Sequence, residues 1–366
     1  MTSLPETSLA AVFHAPGRPF ELAHVPLPIL EPGEAIVKVE CCTICGSDLH
    51  SIAGRRNVPA PTILGHEIVG TVAQVGPGHR ARALDGEPIQ PGDRIAWSVA
   101  ASCGSCPTCR RGIPQKCQRL VKYGHQRLQG RHQLSGGLAE YCHLVRGTAI
   151  VRLDRSLDLE AVTPVSCATA TVAAVLRAAG DLTGRRVLIF GAGALGLTAA
   201  AMTTWQGAAH VTVCDVSADR LERARAFGAS QVVPWELLDE FPDSDSGSRF
   251  DAILELAGAP GAIEKAPAML DVGGSLVLAG TVFPTRNVEL NPEQLVRGLI
   301  RIAGVHNYAP ADLQQAVTFV SECHDRFPLS SFVEQTFPLE QIEAAVASTQ
   351  QTRPCRIAIL PGDVPK

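Results

Sequence analysis

Short apolar runs separated by turn residues dominate the first hundred positions. Between residues 8 and 40 the runs AAVF, ELAHVPL and EAIVKV alternate with Pro/Gly turns such as Glu31-Pro32-Gly33-Glu34, and the runs 68–72 and 94–97 continue the pattern. That spacing predicts an all-β start. Between the last two runs, Asp85-Gly86 is a strong turn signal, so 79–91 reads as a hairpin-like excursion without an assigned function. The pattern turns helical over 160–178, and from 186 onward it alternates. Strands are predicted at 186–190, 211–215, near 231–233, and at 250–258, 274–280 and 301–305, with helices after Gly196 and over 217–228 and 260–271. Such βα alternation predicts a doubly wound parallel sheet. The polar stretch 239–249 reads as an exposed connector, and from about 305 two helices (310–325 and 338–350) lead to a last strand at 356–360.

Composition narrows the class. With 366 residues, 46% hydrophobic content and 33 glycines, the chain can bury a large core and divides naturally into two domains. A net charge of −4 without a lysine/arginine block argues against nucleic acid or an anionic membrane surface as partners. The most apolar stretch, 187–202, is interrupted by glycines at 191, 193 and 196, which argues against a membrane span. Twelve cysteines behind an N-terminus lacking the pattern of an export signal point to metal ligands and buried thiols in a reducing compartment, and so to the cytoplasm.

Three stretches carry candidate chemistry. In 41–70, Cys45 and His66 are soft ligands far apart in sequence, as in a catalytic metal site assembled from several loops. Ser47 and His50 could move a proton, and Asp48 and Glu67 could support the ligands from outside. In 103–117, Cys103-X2-Cys106-X2-Cys109-X7-Cys117 places four thiols in a loop that can close on one tetrahedral ion. Four thiolates leave no open position, which favours a structural zinc. A bacterial iron–sulfur signature would have a closer fourth cysteine followed by proline, whereas Gln118 follows here. The third stretch is strand 186–190, then Gly191-Ala-Gly193-Ala194-Leu195-Gly196, a helix, and a strand ending in Asp215, 19 residues beyond Gly196. These parts form a dinucleotide-binding fingerprint: glycines let the backbone approach a pyrophosphate, and the acid meets the adenine ribose. Asp215 would repel a 2′-phosphate and Arg220 is the first arginine after it, so NAD is favoured over NADP.

Cys45-Gly-Ser47-Asp48-Leu-His50 followed by Gly65-His66-Glu67-X-X-Gly70 resembles the zinc-dependent medium-chain alcohol dehydrogenases. The four-cysteine spacing and the run Ser135-Gly-Gly-Leu-Ala-Glu-Tyr141 are similar to the same family, so the resemblance covers nearly the whole chain. It implies a GroES-like β-rich catalytic domain (1–168, with a structural-zinc lobe at 103–117, and 305–366), an inserted Rossmann domain (169–304) and an active cleft between them. It implies two zinc ions per chain, with Cys45, His66 and Cys167 on the catalytic one and Cys103, Cys106, Cys109 and Cys117 on the structural one. Ser47 and His50 become a proton relay, Glu67 a group that can exchange at the metal, and Arg356 a holder of the cofactor pyrophosphate. Relatives are homodimers or homotetramers pairing through the Rossmann sheet edge, for which 301–305 is a candidate.

The implied reaction is reversible hydride transfer between a primary or secondary alcohol and NAD, giving an aldehyde or ketone. A polyol or cyclitol dehydrogenase is one alternative, though the absence of a glutamate near Cys167 mildly disfavours a sorbitol-type site. A second alternative rests on IAWSVAASCGSC, RRGIPQKC and VKYGH, which look similar to a branch proposed to act in phosphonate breakdown, with Arg55, Arg56 and Lys122 as candidate cations. A non-catalytic zinc- and NAD-binding protein is the alternative of another class, and a zinc-free reductase on this fold would lack ligands that are all present here. His125 and His132 read as solvated loop histidines.

Overall fold

The computed structural model describes residues 4–78, 80–240, 249–352 and 354–362. Its chain forms two compact units, the first from 1–167, 309–321 and 329–366, the second from 168–308 and 322–328.

In the first unit the strand Ala35–Thr43 is the hub. It pairs antiparallel with Glu67–Val75, Tyr141–Leu144 and the last strand, Arg356–Leu360. Seven strands share this sheet, and three more, Glu21–Pro26, Thr7–Phe13 and Thr62–Ile63, form a second one. Their alternating apolar positions close a core that includes Val37, Val39, Ile63, Ile68, Trp97, Tyr123 and Ile357. The turn at Asp85-Gly86 does form a hairpin: Gly86 takes a positive φ of 89°, and Arg82 bridges Pro88 antiparallel. The strand Val333–Pro338 escapes a sequence reading because none of its residues is fully buried and polar Gln335 alternates with Val333 and Phe337 on the more covered side; it pairs parallel with Arg356–Leu360.

The second unit holds a six-stranded, wholly parallel sheet with the order Gln231–Pro234, His210–Asp215, Arg186–Phe190, Phe250–Glu255, Leu270–Leu278, Arg301–Gly304. The order reverses beside Arg186–Phe190, so the carboxyl end of that strand lies at a topological switch point, where open α/β sheets bind ligands. The connector expected over 239–249 lies mostly outside the described residues.

One expectation is corrected in detail. The segment 160–178 is not one helix: Leu159–Val162 runs into a tighter 3₁₀ turn, Thr163–Ser166, and a new helix, Ala168–Ala179, starts at a bend of 55°. Pro164 cannot donate within the turn, and Cys167 sits at the break with φ −136° and ψ −77°. The break lifts Cys167 out of the helical run that its alanine-rich surroundings suggest. Among the described residues no single helix is long and apolar enough to cross a membrane.

Candidate active site

Cys45 and Asp48 are placed by one short helix, Gly46–Ile52. Cys45 is its N-cap, and the Asp48 carboxylate accepts a hydrogen bond from the Cys45 backbone N–H at 3.0 Å. Its other oxygen lies 3.2 Å from His66 Nδ1. Asp48 therefore fixes the helix start and turns the imidazole so that Nε2 is the nitrogen left to bind a metal. His66 arrives on the residue before strand Glu67–Val75, after Gly65 at φ +88°, where a Cβ would sit 2.6 Å from Cys42 Sγ. No larger residue fits that approach. Ser166 secures the third ligand's segment, its hydroxyl donating to the His66 carbonyl at 3.3 Å and accepting from Ile68 N–H at 3.2 Å.

As a result the ligand atoms of Cys45, His66 and Cys167 lie within 4.8 Å of one another. Two sulfurs and one imidazole suit zinc and leave one position for an oxygen ligand. A hydrogen bond from Cys167, and then the Arg356 and His66 charges acting against burial, hold the Cys45 thiol well below its ordinary value, while Cys167 is pushed well up. Burial works against a charge on His66, but Asp48 and Cys45 override it and raise its pKa to about 10. Ser47 Oγ stands 3.3 Å from His66 Nε2, at the edge of the cluster, and His50 lies one turn further along the same helix. We predict that Asp48→Asn weakens zinc binding at this centre roughly 10–100-fold, the usual effect of losing an outer carboxylate. Competition with a fluorescent chelator measures it; an unchanged affinity would remove Asp48 from the centre.

Cys103, Cys106, Cys109 and Cys117 converge as the spacing requires. Neighbouring sulfurs stand 3.4 Å (Cys106–Cys109), 3.8 Å (Cys106–Cys117) and 3.4 Å (Cys103–Cys117) apart. A tetrahedron with Zn–S near 2.3 Å has edges of about 3.8 Å, so the set fits zinc. Backbone N–H groups point at the sulfurs: Arg119 N and Cys103 N each approach Cys117 Sγ to 3.3 Å. The Ser105 N–H, followed by Arg119, lowers Cys103 to about 5.

In the second unit, Gly191 takes φ +97°, and a Cβ on Gly196 would come 1.7 Å from the Gly191 carbonyl oxygen, so both glycines are required for the strand-to-helix turn. Gly193 caps the helix Ala194–Trp205, and Ala194 and Leu195 form its partly exposed start. Asp215 ends its strand with Oδ2 accepting from Ala192 N–H at 2.7 Å and Oδ1 from Ser217 N–H at 2.9 Å. Each oxygen keeps a lone pair for a ribose hydroxyl. Arg220 is exposed in the helix that Ser217 caps.

Two expectations change. Arg356 is not free to hold a pyrophosphate: Nε and Nη2 make a two-pronged ion pair with Glu67 at 2.6 and 2.7 Å, both side chains being buried. Nη2 also reaches within 3.9 Å of Cys45 Sγ. Glu67 is held further by Thr43 Oγ1 on the paired strand, which donates to it at 2.6 Å. The second change concerns His125, which is buried rather than solvated, with its ring centroid 5.5 Å from that of His66. His132 is half-buried. A glycine before His125 at φ +72°, packed on the Gly65 carbonyl, is what folds this segment against the ligand strand.

Comparison with known proteins agrees with this geometry. Residues 31–154 match the alcohol dehydrogenase GroES-like domain family, and residues 194–322 the zinc-binding dehydrogenase family. The L-threonine 3-dehydrogenase of Pyrococcus horikoshii is 33% identical over 287 residues, 76% of this chain and 77% of that protein. An alcohol dehydrogenase of Geobacillus stearothermophilus is 29% identical over 325 residues, covering 86% and 89%. Among solved structures, an alcohol dehydrogenase from Thermotoga maritima superposes with a TM-score of 0.90 at 26% identity, covering 97% of this chain and all of that one.

Proposed function

Because the chain belongs to the zinc-dependent medium-chain dehydrogenases, a family of oxidoreductases using zinc and a nicotinamide dinucleotide, we propose that it oxidises a small alcohol to the aldehyde or ketone with NAD, and catalyses the reverse reduction. The single observation that carries this reading is the convergence of Cys45, His66 and Cys167 with Asp48 behind the imidazole and Ser47 beside it. Zinc on these three ligands would supply Lewis acidity toward a hydroxyl oxygen, lowering the pKa of that hydroxyl. NAD on the Gly191–Gly196 turn would accept the hydride. The rest falls to the chain's own residues. Ser47 Oγ takes the hydroxyl proton and hands it toward His50, whose pKa is depressed by burial and then by Arg55, keeping the ring neutral and ready to accept. The Arg356–Glu67 pair holds the two strands behind Cys45 and His66 in fixed register.

The cofactor preference rests on Asp215. With the adenine ribose on Asp215, a 2′-phosphate would bring a second negative charge against its carboxylate, and such like-charge juxtaposition costs several kcal/mol. Asp215→Ala should raise the ratio of NADP⁺ to NAD⁺ efficiency about tenfold or more, read from initial rates with each dinucleotide; an unchanged ratio would move the choice elsewhere.

The substrate panel that tests the reading contains simple primary and secondary alcohols, polyols, cyclitols and L-threonine, the last because similar proteins are named for it. Zinc-loaded protein with NAD⁺ should form NADH with at least one class. Zinc- and NAD-binding without turnover in either direction would favour the non-catalytic alternative.

A further inference from the structure

Two loops leave the parallel sheet of the second unit beside the Gly191–Gly196 turn, and one residue holds both. Glu255 ends the strand Phe250–Glu255, in register with Phe190 on one side and Leu278 on the other. It is fully buried, and its carboxylate turns back on the chain that follows: Oε1 accepts from the N–H groups of Ala257 at 2.9 Å, Gly258 at 2.6 Å and Ala259 at 3.2 Å. Its backbone carbonyl accepts from Ala279 N–H at 3.0 Å and Gly280 N–H at 2.9 Å, just beyond the neighbouring strand Leu270–Leu278. Both loops therefore hang on Glu255. They also meet with no side chain between them, since a Cβ on Gly280 would lie 2.3 Å from Gly258 N, and one on Gly258, at φ +73°, 2.9 Å from the Gly280 carbonyl oxygen. On its other flank loop 256–259 abuts the dinucleotide turn: a Cβ on Gly191 would lie 3.1 Å from Ala257 Cα, and Leu256 N–H donates to the Phe190 carbonyl at 3.0 Å.

The strand order gives this arrangement a role. Asp215 ends the strand on one side of Arg186–Phe190, and Glu255 ends the strand on the other. A dinucleotide crossing the switch point with its pyrophosphate on the glycine turn and its adenine ribose on Asp215 extends its nicotinamide half toward the Glu255 side. The surface it meets there is the backbone of 256–259 and 279–280. Without the carboxylate, three buried N–H groups would lose their acceptor, and the loop would have to move to find others.

We propose that Glu255 is a positioning residue for the nicotinamide half of the cofactor: by fixing the backbone of both loops it sets the surface against which that half is held. It acts through the loops rather than by contact. This rests on the dinucleotide reading of the Gly191–Gly196 turn and adds the residue that orients the reacting end.

The test needs no substrate. Calorimetry on zinc-loaded full-length protein compares NADH with ADP-ribose, which keeps the adenine, both riboses and the pyrophosphate but lacks the nicotinamide. Glu255→Ala should weaken NADH binding about tenfold while ADP-ribose changes by less than about twofold, and the change in NADH emission on binding should shrink with it. Glu255→Gln keeps an oxygen for the three N–H groups but sets an NH2 where Oε2 is buried without a partner among the described residues, so it should restore most, not all, of the NADH affinity. Equal weakening of both ligands, or of neither, would make Glu255 a prop of the fold alone and overturn the proposal. Should Glu255→Ala fail to fold, Glu255→Asp, whose carboxylate falls one methylene short of the three N–H groups, carries the same comparison with an expected split of about threefold, and the absence of a split overturns the proposal. A wild type that binds neither ligand would remove the dinucleotide reading itself, and the proposal with it.

Discussion

Cys45→Ser should remove one of two zinc ions per chain and lower kcat/KM by about a thousandfold or more, while the protein stays folded. Lewis-acid activation of a hydroxyl is worth several kcal/mol, and each 1.36 kcal/mol is a factor of ten. The substitution is chosen for what it preserves. Cys45 is the N-cap of Gly46–Ile52, and serine is among the best N-cap residues, so the helix that positions Ser47, Asp48 and His50 keeps its start. The four-cysteine loop is untouched, since its ligands all lie between 103 and 117. Metal analysis together with initial rates separates the outcomes. Two retained zinc ions with full activity would take Cys45 out of the centre. One zinc with full activity would make the centre irrelevant to turnover.

Arg356→Leu should be the most destabilising single change near the site. It strands the Glu67 carboxylate, fully buried, with Thr43 Oγ1 as its only remaining side-chain donor among the described residues. Breaking a buried ion pair from one side costs about 3–5 kcal/mol, because the remaining charge has neither water nor a partner. At roughly 2–4 °C per kcal/mol for a unit of this size, the melting temperature of the first unit should fall by about 6–20 °C. The double variant Arg356→Leu with Glu67→Leu should recover most of the loss, since replacing both charges by apolar side chains is often neutral. Calorimetry of the two single variants, Arg356→Leu and Glu67→Leu, and of the double variant measures the coupling. A weakened affinity for NAD with an unchanged melting temperature would instead restore Arg356 to the pyrophosphate.

That reversal shows where sequence reading stops. The four-cysteine loop and the Gly191–Gly196 turn are local, so their spacing alone carries the chemistry, and the structure closes both as the spacing requires. The three-ligand centre is not local. Cys45 and His66 are linked by an antiparallel strand pair, and Cys167 joins them only because Thr163–Ser166 breaks the helix and Ser166 grips the His66 carbonyl. Only the family resemblance could place it. Arg356 and Glu67 stand 289 residues apart, and their pairing depends on the last strand returning to the hub of the sheet. Nothing in the neighbourhood of either residue announces the other. His125 was misread for a similar reason: a polar loop sequence says nothing of a glycine turn that packs it onto Gly65.

Turnover should belong to the Cys45–His66–Cys167 centre and not to the four-cysteine loop. The most direct measurement is to strip the protein with a chelator, return zinc in sub-equivalent steps, and follow NADH formation and bound zinc together, with Cys45→Ser in parallel. Two zinc ions per chain are expected, with activity rising in proportion to occupancy of the site that Cys45→Ser lacks. Full activity in protein whose only zinc is held by Cys103, Cys106, Cys109 and Cys117, or in protein holding no zinc, would contradict it.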